Sequence, residues 1–435
     1  MYSVQRALSL SCVENQAISR LSYIVGVKQE MKIALCMPHL PLSGVGTSVG
    51  ILHDGLKEAG YEVDVVITGN SPGDDLAYAN TSGWNTILTG VGKRFLPDRL
   101  KGVVEQLNRD GYDALLNNTS MEAQLALPCL RRGLLRVGVM RVLNDNALWQ
   151  VGVHSAYLHA LVGISEEMVR VMAADPRIQS PVRLIPNCTR VVAGEPPRIG
   201  GRMELCYVGR LSAKDKNVII LPEIAAELSR RGGRFRLRIV GDGPEAGSLR
   251  ASVRRLGLKE VELCGAMERE AAAGVLRSSH FTLLPSVSEG LSNVMLEGMS
   301  TGCIPICSDI PNFRWVLGEA AEQLQCALND PTDYARRILL LWERGDSYKG
   351  LQAYLHRRQR EVFTPERTIG KYIDLFRELA SGGARSLPPA CEFRELRMPW
   401  KYRVHCSPLW RVLQSAKDVC HGRGERTQMC ESQVG

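Results

Sequence analysis

Nowhere in its 435 residues does the sequence hold an uninterrupted apolar run near the roughly 20 residues that a bilayer-crossing helix needs, which excludes a transmembrane reading. Cys-x-x-Cys pairs are missing as well. The 13 cysteines are scattered singly through apolar segments (Cys36, Cys206, Cys264, Cys303, Cys307), as small core hydrophobes of a reduced protein would be. Cys391, Cys406, Cys420 and Cys430, spaced ten or more residues apart and accompanied by His405 and His421, match no common zinc pattern. The first 30 residues lack a basic start followed by an apolar core, so no secretory leader is read and the cytoplasm is the expected compartment.

A strong charge of either sign is also lacking, with 54 basic against 46 acidic residues. Residues 31–190 carry 15 of each, without the basic stripe of a nucleic-acid enzyme, so no nucleic-acid partner is expected. Half of the excess of eight lies in residues 381–435, with 9 basic against 5 acidic groups. That tail has two readings: peripheral contact with anionic lipid at the inner face of the plasma membrane, or a loosely ordered, solvated end, which is preferred.

What the sequence does have is apolar content of 45% over a length that suits two or three domains. Residues 1–30 read as an N-terminal extension. From Met31, MKIALCMP, a glycine loop, ILHDGLKEAG and YEVDVVITG read as strand, loop, helix and strand, with Gly60 as the helix stop. DALLNNTS (113–120), RVGVMRVLND (136–145), ALVGISEEMVRVM (160–172) and VRLIPNCT (182–189) continue the rhythm, each an apolar run meeting polar or glycine residues at its C-terminal end. The expected first domain is 31–190, on a parallel open sheet. Residues 191–202 concentrate glycine and proline as a linker. The rhythm restarts over 203–364 through ELCYVGRLS, RFRLRIVGDGP, VELCGAM, HFTLLPS and IPICSD, followed by an amphipathic helix at 365–380. The expected fold is therefore α/β: two Rossmann-like, doubly wound domains facing across a cleft lined by the C-terminal ends of their strands.

The chemistry-bearing stretch is PSVSEGLSNVMLEGMSTGCIPI (285–306). Glu289 follows a buried strand, Gly290 allows close backbone approach, and Glu297 comes eight positions later, about 12 Å if all eight were helical. Carboxylates accept hydrogen bonds from vicinal sugar hydroxyls, and the helix start between them offers N–H groups and a positive dipole to a phosphate. Two glutamates at that spacing also occur on ordinary solvated helix faces. Arg210 and Lys216, in YVGRLSAKDKN, stand just past a strand at the cleft edge, where cations suit a diphosphate; taken alone they are surface cations. Gly241 and Gly243 in IVGDGPE read either as a tight turn or as a place of close ligand approach.

Taken in order, SGVG (43–46), LIPN (184–187), VGRLSAKDK (208–216), VGDGP (240–244), LCGAM (263–267) and LLPSVSEGLSNVMLEGMSTGCIPI resemble the family-four retaining glycosyltransferases of the GT-B fold, over residues 31 to about 380. The resemblance implies transfer of a sugar from a nucleoside-diphosphate sugar to a glycan, lipid-linked or small-molecule acceptor, with retention and with neither metal nor cofactor. It implies that Arg210 and Lys216 hold the diphosphate and Glu297 the ribose. Glu289 with Gly290, Leu291 and Ser292 would hold the donor sugar and adjacent phosphate, Gly265 would border the base, and the loop amides of Gly44 and Gly46 would reach the donor from the opposite wall. Leu143, Asn144 and Asp145 stand where related transferases often have a histidine. Asp145 is the acceptor-side candidate, against a structural aspartate, and the nearby His154 reads as a surface histidine. The competing class is a non-catalytic partner protein that binds sugar nucleotides or glycans on a degenerate transferase fold.

Overall fold

The computed structural model describes residues 31–39, 44–69, 83–90, 92–93, 95–109, 111–190 and 200–396. The N-terminal extension, residues 191–199 of the linker and the tail beyond 396 lie outside the described residues.

Two parallel sheets organise the chain. The first has seven strands in the order β3-β2-β1-β4-β5-β6-β7: β1 (Lys32–Met37), β2 (Glu62–Ile67), β3 (Thr86–Leu88), β4 (Ala114–Asn118), β5 (Leu135–Met140), β6 (Ala160–Gly163) and β7 (Val182–Leu184). The second has six in the order β10-β9-β8-β11-β12-β13: β8 (Met203–Val208), β9 (Phe235–Val240), β10 (Val261–Gly265), β11 (Phe281–Leu284), β12 (Ile304–Ser308) and β13 (Gln325–Cys326). Every residue of β4 and of β12 is buried, as expected of central parallel strands covered by helices on both faces. The sequence reading missed β3, a half-buried edge strand of three residues whose apolar run is too short to stand out.

Six helices matter below: α1 (Gly44–Glu58), α2 (Leu96–Arg109), α3 (Asp145–Gly152), α4 (Asn293–Thr301), α5 (Gly345–Val362) and α6 (Pro365–Glu378). Among the described residues no helix is long and apolar enough to cross a membrane.

The C-terminal helices tie the lobes together. Helix α5 belongs to the second lobe, but α6 returns to the first and packs on α1. There a Cβ on Gly55 would stand 1.8 Å from Cδ1 of the buried Ile369, so glycine lets the two helices approach. The crossing segment is held by hydrogen bonds from Thr189 N–H to Phe363 O (3.1 Å) and from Thr368 Oγ1 to Pro186 O (3.1 Å).

Three expectations need correction. Residues 381–396 are not a loose end: they form a strap lying across the first lobe. Arg385 donates to the carbonyls of Gln179 and, at 3.2 Å, Ala156; Tyr157 donates to Pro389 O at 3.4 Å; Cys391 N–H donates to Pro128 O at 2.9 Å. Phe393 and Leu396 pack on the cluster of Leu96, Leu100 and Leu125, so the proline and glycine pairs punctuate an ordered crossing. Cys264 is half-buried at the end of an edge strand, unlike the buried Cys36, Cys206, Cys303 and Cys307. His154 is not a surface residue: it adopts a left-handed backbone (φ 55°) with its Nε2 buried and unpartnered, and burial lowers its pKa.

Candidate functional site

Two loops at the C-terminal edge of the second sheet build the site. After β8 the chain turns at Gly209 (φ 153°), and the buried Tyr207 donates its hydroxyl to Arg210 O at 2.8 Å, fixing the turn from beneath. Gly243 fits the same turn, since a Cβ on it would stand 2.4 Å from Leu211 O. A Cβ on Gly241 would meet Gly209 O at 1.8 Å. These glycines thus serve backbone-to-backbone packing between two loops, the plainer of their two readings.

Beyond the turn, Arg210 pairs with Asp215 at 2.5 Å, and Ser212 Oγ donates to the same carboxylate at 2.6 Å. Burial alone would raise the Asp215 carboxyl, but the Ser212 hydroxyl and Arg210 guanidinium together hold it below its ordinary value. Asp215 O accepts from Val287 N–H at 3.0 Å, which joins this loop to the one after β11. Across that joint Lys216 Nζ donates to Glu289 Oε1, which also accepts from Ser286 Oγ at 2.9 Å. Lys216 and Glu289, 73 positions apart, are therefore in direct contact, with side-chain exposures of only 24% and 11%.

Helix α4 begins later than the spacing argument supposed. Ser292 is extended (φ −75°, ψ 112°) and caps the helix by accepting from Met295 N–H at 3.4 Å, so residues 289–292 are loop and the 12 Å helical separation of the two glutamates does not apply. Gly290 and the buried Leu291 and Ser292 occupy that loop. Glu297 lies on the helix with its side chain 18% exposed and Arg269 at 3.6 Å. Burial raises its pKa, and the arginine offsets this only in part. Gly265 ends β10 with φ 74°, exposed, its carbonyl accepting from Gly241 N–H at 2.8 Å.

The first lobe closes on this edge at three points. Asn293 Nδ2, at the first turn of α4, donates to Gly44 O at 2.8 Å and to Ser48 Oγ at 3.2 Å. Gly44 and Gly46 are thus in the first turn of α1, not in a loop, so the N–H groups they offer belong to a helix start. Two helix N-termini converge there, which suits negative charge between them. At the second point a Cβ on Gly290 would stand 2.2 Å from Arg141 O, so this glycine serves contact between the lobes. Third, Asn312 Nδ2 donates to Glu289 O at 2.6 Å while its Oδ1 accepts from Ser165 Oγ at 2.7 Å.

Arg141 was not singled out in the sequence. Its guanidinium is buried and donates to Asn118 Oδ1 at 2.6 and 3.0 Å and to Asn187, all neutral acceptors; burial lowers its pKa. The available signal was a cation inside the apolar run VGVMRVL. Asp145, at the start of α3, is exposed, while Asn144 caps that helix by accepting from Ala147 N–H at 2.8 Å. No group of three or more metal-ligating side chains occurs among the described residues.

Residues 202–344 match the family model for glycosyl transferases group 1. Over those residues the second domain is similar to the glycosyl transferases of group 1. The match holds β8 to β13, hence both loops of the site. An alpha-D-kanosaminyltransferase from Streptomyces kanamyceticus is 38% identical over 142 residues, covering 29% of this chain and 36% of that protein. A GDP-mannose:cellobiosyl-diphosphopolyprenol alpha-mannosyltransferase from Xanthomonas campestris is 33% identical over 174 residues, covering 39% and 45% respectively. The chain thus spans less than half the length of these curated relatives. Whole-chain similarity is structural: HepE from Anabaena, solved in complex with UDP and glucose, superposes with a TM-score of 0.67 at 12% identity, covering 80% of this chain and all of that one. Sucrose-phosphate synthase from Thermosynechococcus elongatus gives 0.66 at 18% identity, covering 81% of this chain and likewise all of its own. The fold is GT-B: the alternation of strands and glycine turns implied its two doubly wound α/β domains, and the resemblance of the ordered motifs implied GT-B itself.

Proposed function

We infer that this protein transfers a sugar from a nucleoside-diphosphate sugar to a glycan, lipid-linked or small-molecule acceptor, with retention at the anomeric carbon and without a metal ion. The observation that supports this best is the Lys216–Glu289 contact at the edge where the helix starts of both lobes meet. In this reading Lys216 and Arg210 exchange their carboxylate partners for the diphosphate, taking up charge as the bond from the anomeric carbon to the phosphate oxygen breaks. The freed Glu289 carboxylate accepts from donor-sugar hydroxyls, and Glu297 accepts from the ribose. Amides of Gly290, Leu291 and Ser292 reach the phosphate next to the reacting carbon, those of Gly44 and Gly46 complete its cradle, and Gly265 borders the base. The acceptor hydroxyl attacks on the face that the leaving group vacates and gives its proton to a phosphate oxygen. Asp145 is the acceptor-side candidate. The setting that accords with relatives such as the mannosyltransferase acting on a diphosphopolyprenol is surface polysaccharide synthesis at the cytoplasmic side of the membrane.

The test is release of free nucleoside diphosphate from a panel of nucleotide sugars, with Glu289→Ala and Lys216→Ala as controls. Slow donor hydrolysis without acceptor, lost in both variants, supports the enzyme. Donor binding without turnover under every acceptor supports the second reading, a non-catalytic binding partner, which the exposed Asp145 and capping Asn144 in place of a histidine favour.

A further inference from the structure

The C-terminal strap does more than fasten itself to the first lobe: it roofs a cavity of about 470 Å³ against the N-terminal ends of β5 and β6. This is the end of the sheet away from the cleft. The floor is cationic. Arg132 and Arg136 give it its charge, the neutral His159 lines it beside them, and among the described residues no acidic side chain does. Arg136 is 2% exposed, spends Nη1 and Nη2 on the main-chain carbonyls of Leu127, Leu130 and Arg131, and leaves its buried Nε without a partner. A guanidinium held only by neutral carbonyls keeps its full charge within the wall.

His159 points to the same ligand. Its Nδ1 accepts from Arg136 N–H at 2.9 Å, so the neutral ring carries its proton on Nε2. Burial, then Arg136 and Arg385, push this imidazole down to about 4. Arg132 is exposed at the mouth, and Ser386 adds a hydroxyl from the strap. The remaining lining is Leu134 below and Leu387 to Ala390 above, an apolar roof over a cationic floor.

We propose that this cavity is a binding site, separate from the cleft, for a phosphate ester whose anionic head meets Arg132, His159 and the Arg136 charge while its carbon-bearing part lies under the strap. A soluble sugar phosphate and a phospholipid headgroup share that chemistry. The test uses the full chain with glycerol 3-phosphate as the soluble probe, and phosphatidylcholine vesicles with and without phosphatidylglycerol as the lipid probe. Binding of either is expected to weaken about tenfold or more in Arg132→Ala, whose side chain is exposed, and to persist in Lys216→Ala. Carbon-13 histidine NMR adds a local readout: the bound anion stabilises the imidazolium, so His159 should titrate at a higher pH with the anion than without it. Saturation by glycerol 3-phosphate identifies a soluble ligand; retention only on phosphatidylglycerol vesicles, still dependent on Arg132, identifies a lipid. Binding that Lys216→Ala abolishes and Arg132→Ala leaves intact would place the anion in the cleft and overturn the proposal. So would the absence of binding to both probes.

Discussion

The two walls of the cleft are built on different terms. The second lobe presents ion pairs, Arg210 with Asp215 and Lys216 with Glu289, on two short loops that follow buried strands. The first lobe presents main-chain groups: the helix start at Gly44, and the carbonyl of Arg141 pressed against Gly290. Its buried cation, Arg141, is satisfied entirely by asparagine oxygens. A wall of side-chain charges can be rearranged around a diphosphate at the expense of one carboxylate contact each. A wall of backbone and helix ends is fixed in advance and selects by shape. If the proposed transfer is right, the difference concentrates donor chemistry on one side, and changes on the two sides should have unequal consequences.

The largest expected effect tests that asymmetry directly. Lys216→Ala should lower turnover of donor by about 10²–10³-fold, the scale seen when one fixed donor to a developing charge is removed, and Glu289→Ala, which removes the acceptor for the donor-sugar hydroxyls, should also lower it. Asp145→Ala, on an exposed helix start, should change donor hydrolysis less than about threefold and act only on transfer to acceptor. Equal losses in the two walls, measured as nucleoside diphosphate release, would show that the first lobe supplies charge stabilisation as well.

Next comes stability beneath the charged wall. Gly241→Ala places a Cβ 1.8 Å from Gly209 O at a φ of 140°, so neither the backbone nor its neighbour can yield cheaply. A loss of about 2–4 kcal/mol in denaturant unfolding is expected. Gly265→Ala, at φ 74° with nothing within 4 Å of the added carbon, carries only the conformational cost, about 1 kcal/mol. Similar losses at the two positions would mean that the turn after β9 is not packed against the turn after β8.

The contrast between the walls also explains what could be read in advance. Parallel strands advertise themselves as apolar runs ending in glycine, so the alternation from Met31 to Ser308 was legible. So was the pairing of VGRLSAKDK with SEGLSNVMLE, because residues that follow strands of one parallel sheet emerge at the same edge. The wall made of backbone was legible only at Gly44 and Gly46, and there as a loop, not as the helix start it is. Gly290 looks like a ligand-facing glycine until its neighbour proves to be Arg141 O, and Arg141 looks misplaced until Asn118 and Asn187 arrive from other strands and loops. The strap was misread because its prolines and glycines resemble those of an unstructured end, whereas what orders it is contact with Pro128, Ala156 and Gln179 far away in the sequence.

The smallest effect concerns Glu297, which stands apart from the ion-paired Glu289 because burial outweighs its one cation, Arg269, at 3.6 Å. A carboxyl whose folded-state pKa is raised binds its proton more tightly in the native protein than in the unfolded chain. Below the ordinary carboxyl value both states are protonated and no penalty is felt. As pH rises through the raised value the native state must carry a poorly solvated charge, and stability falls relative to a neutral side chain. Glu297→Gln, which keeps shape and polarity, should therefore unfold like the parent in acid and become modestly more stable than it at neutral pH, while losing affinity for the nucleoside diphosphate. Melting temperatures at the two pH values decide the matter: a difference independent of pH would mean that Arg269 neutralises the buried charge, and that this glutamate is paired in the free protein, as Glu289 is with Lys216.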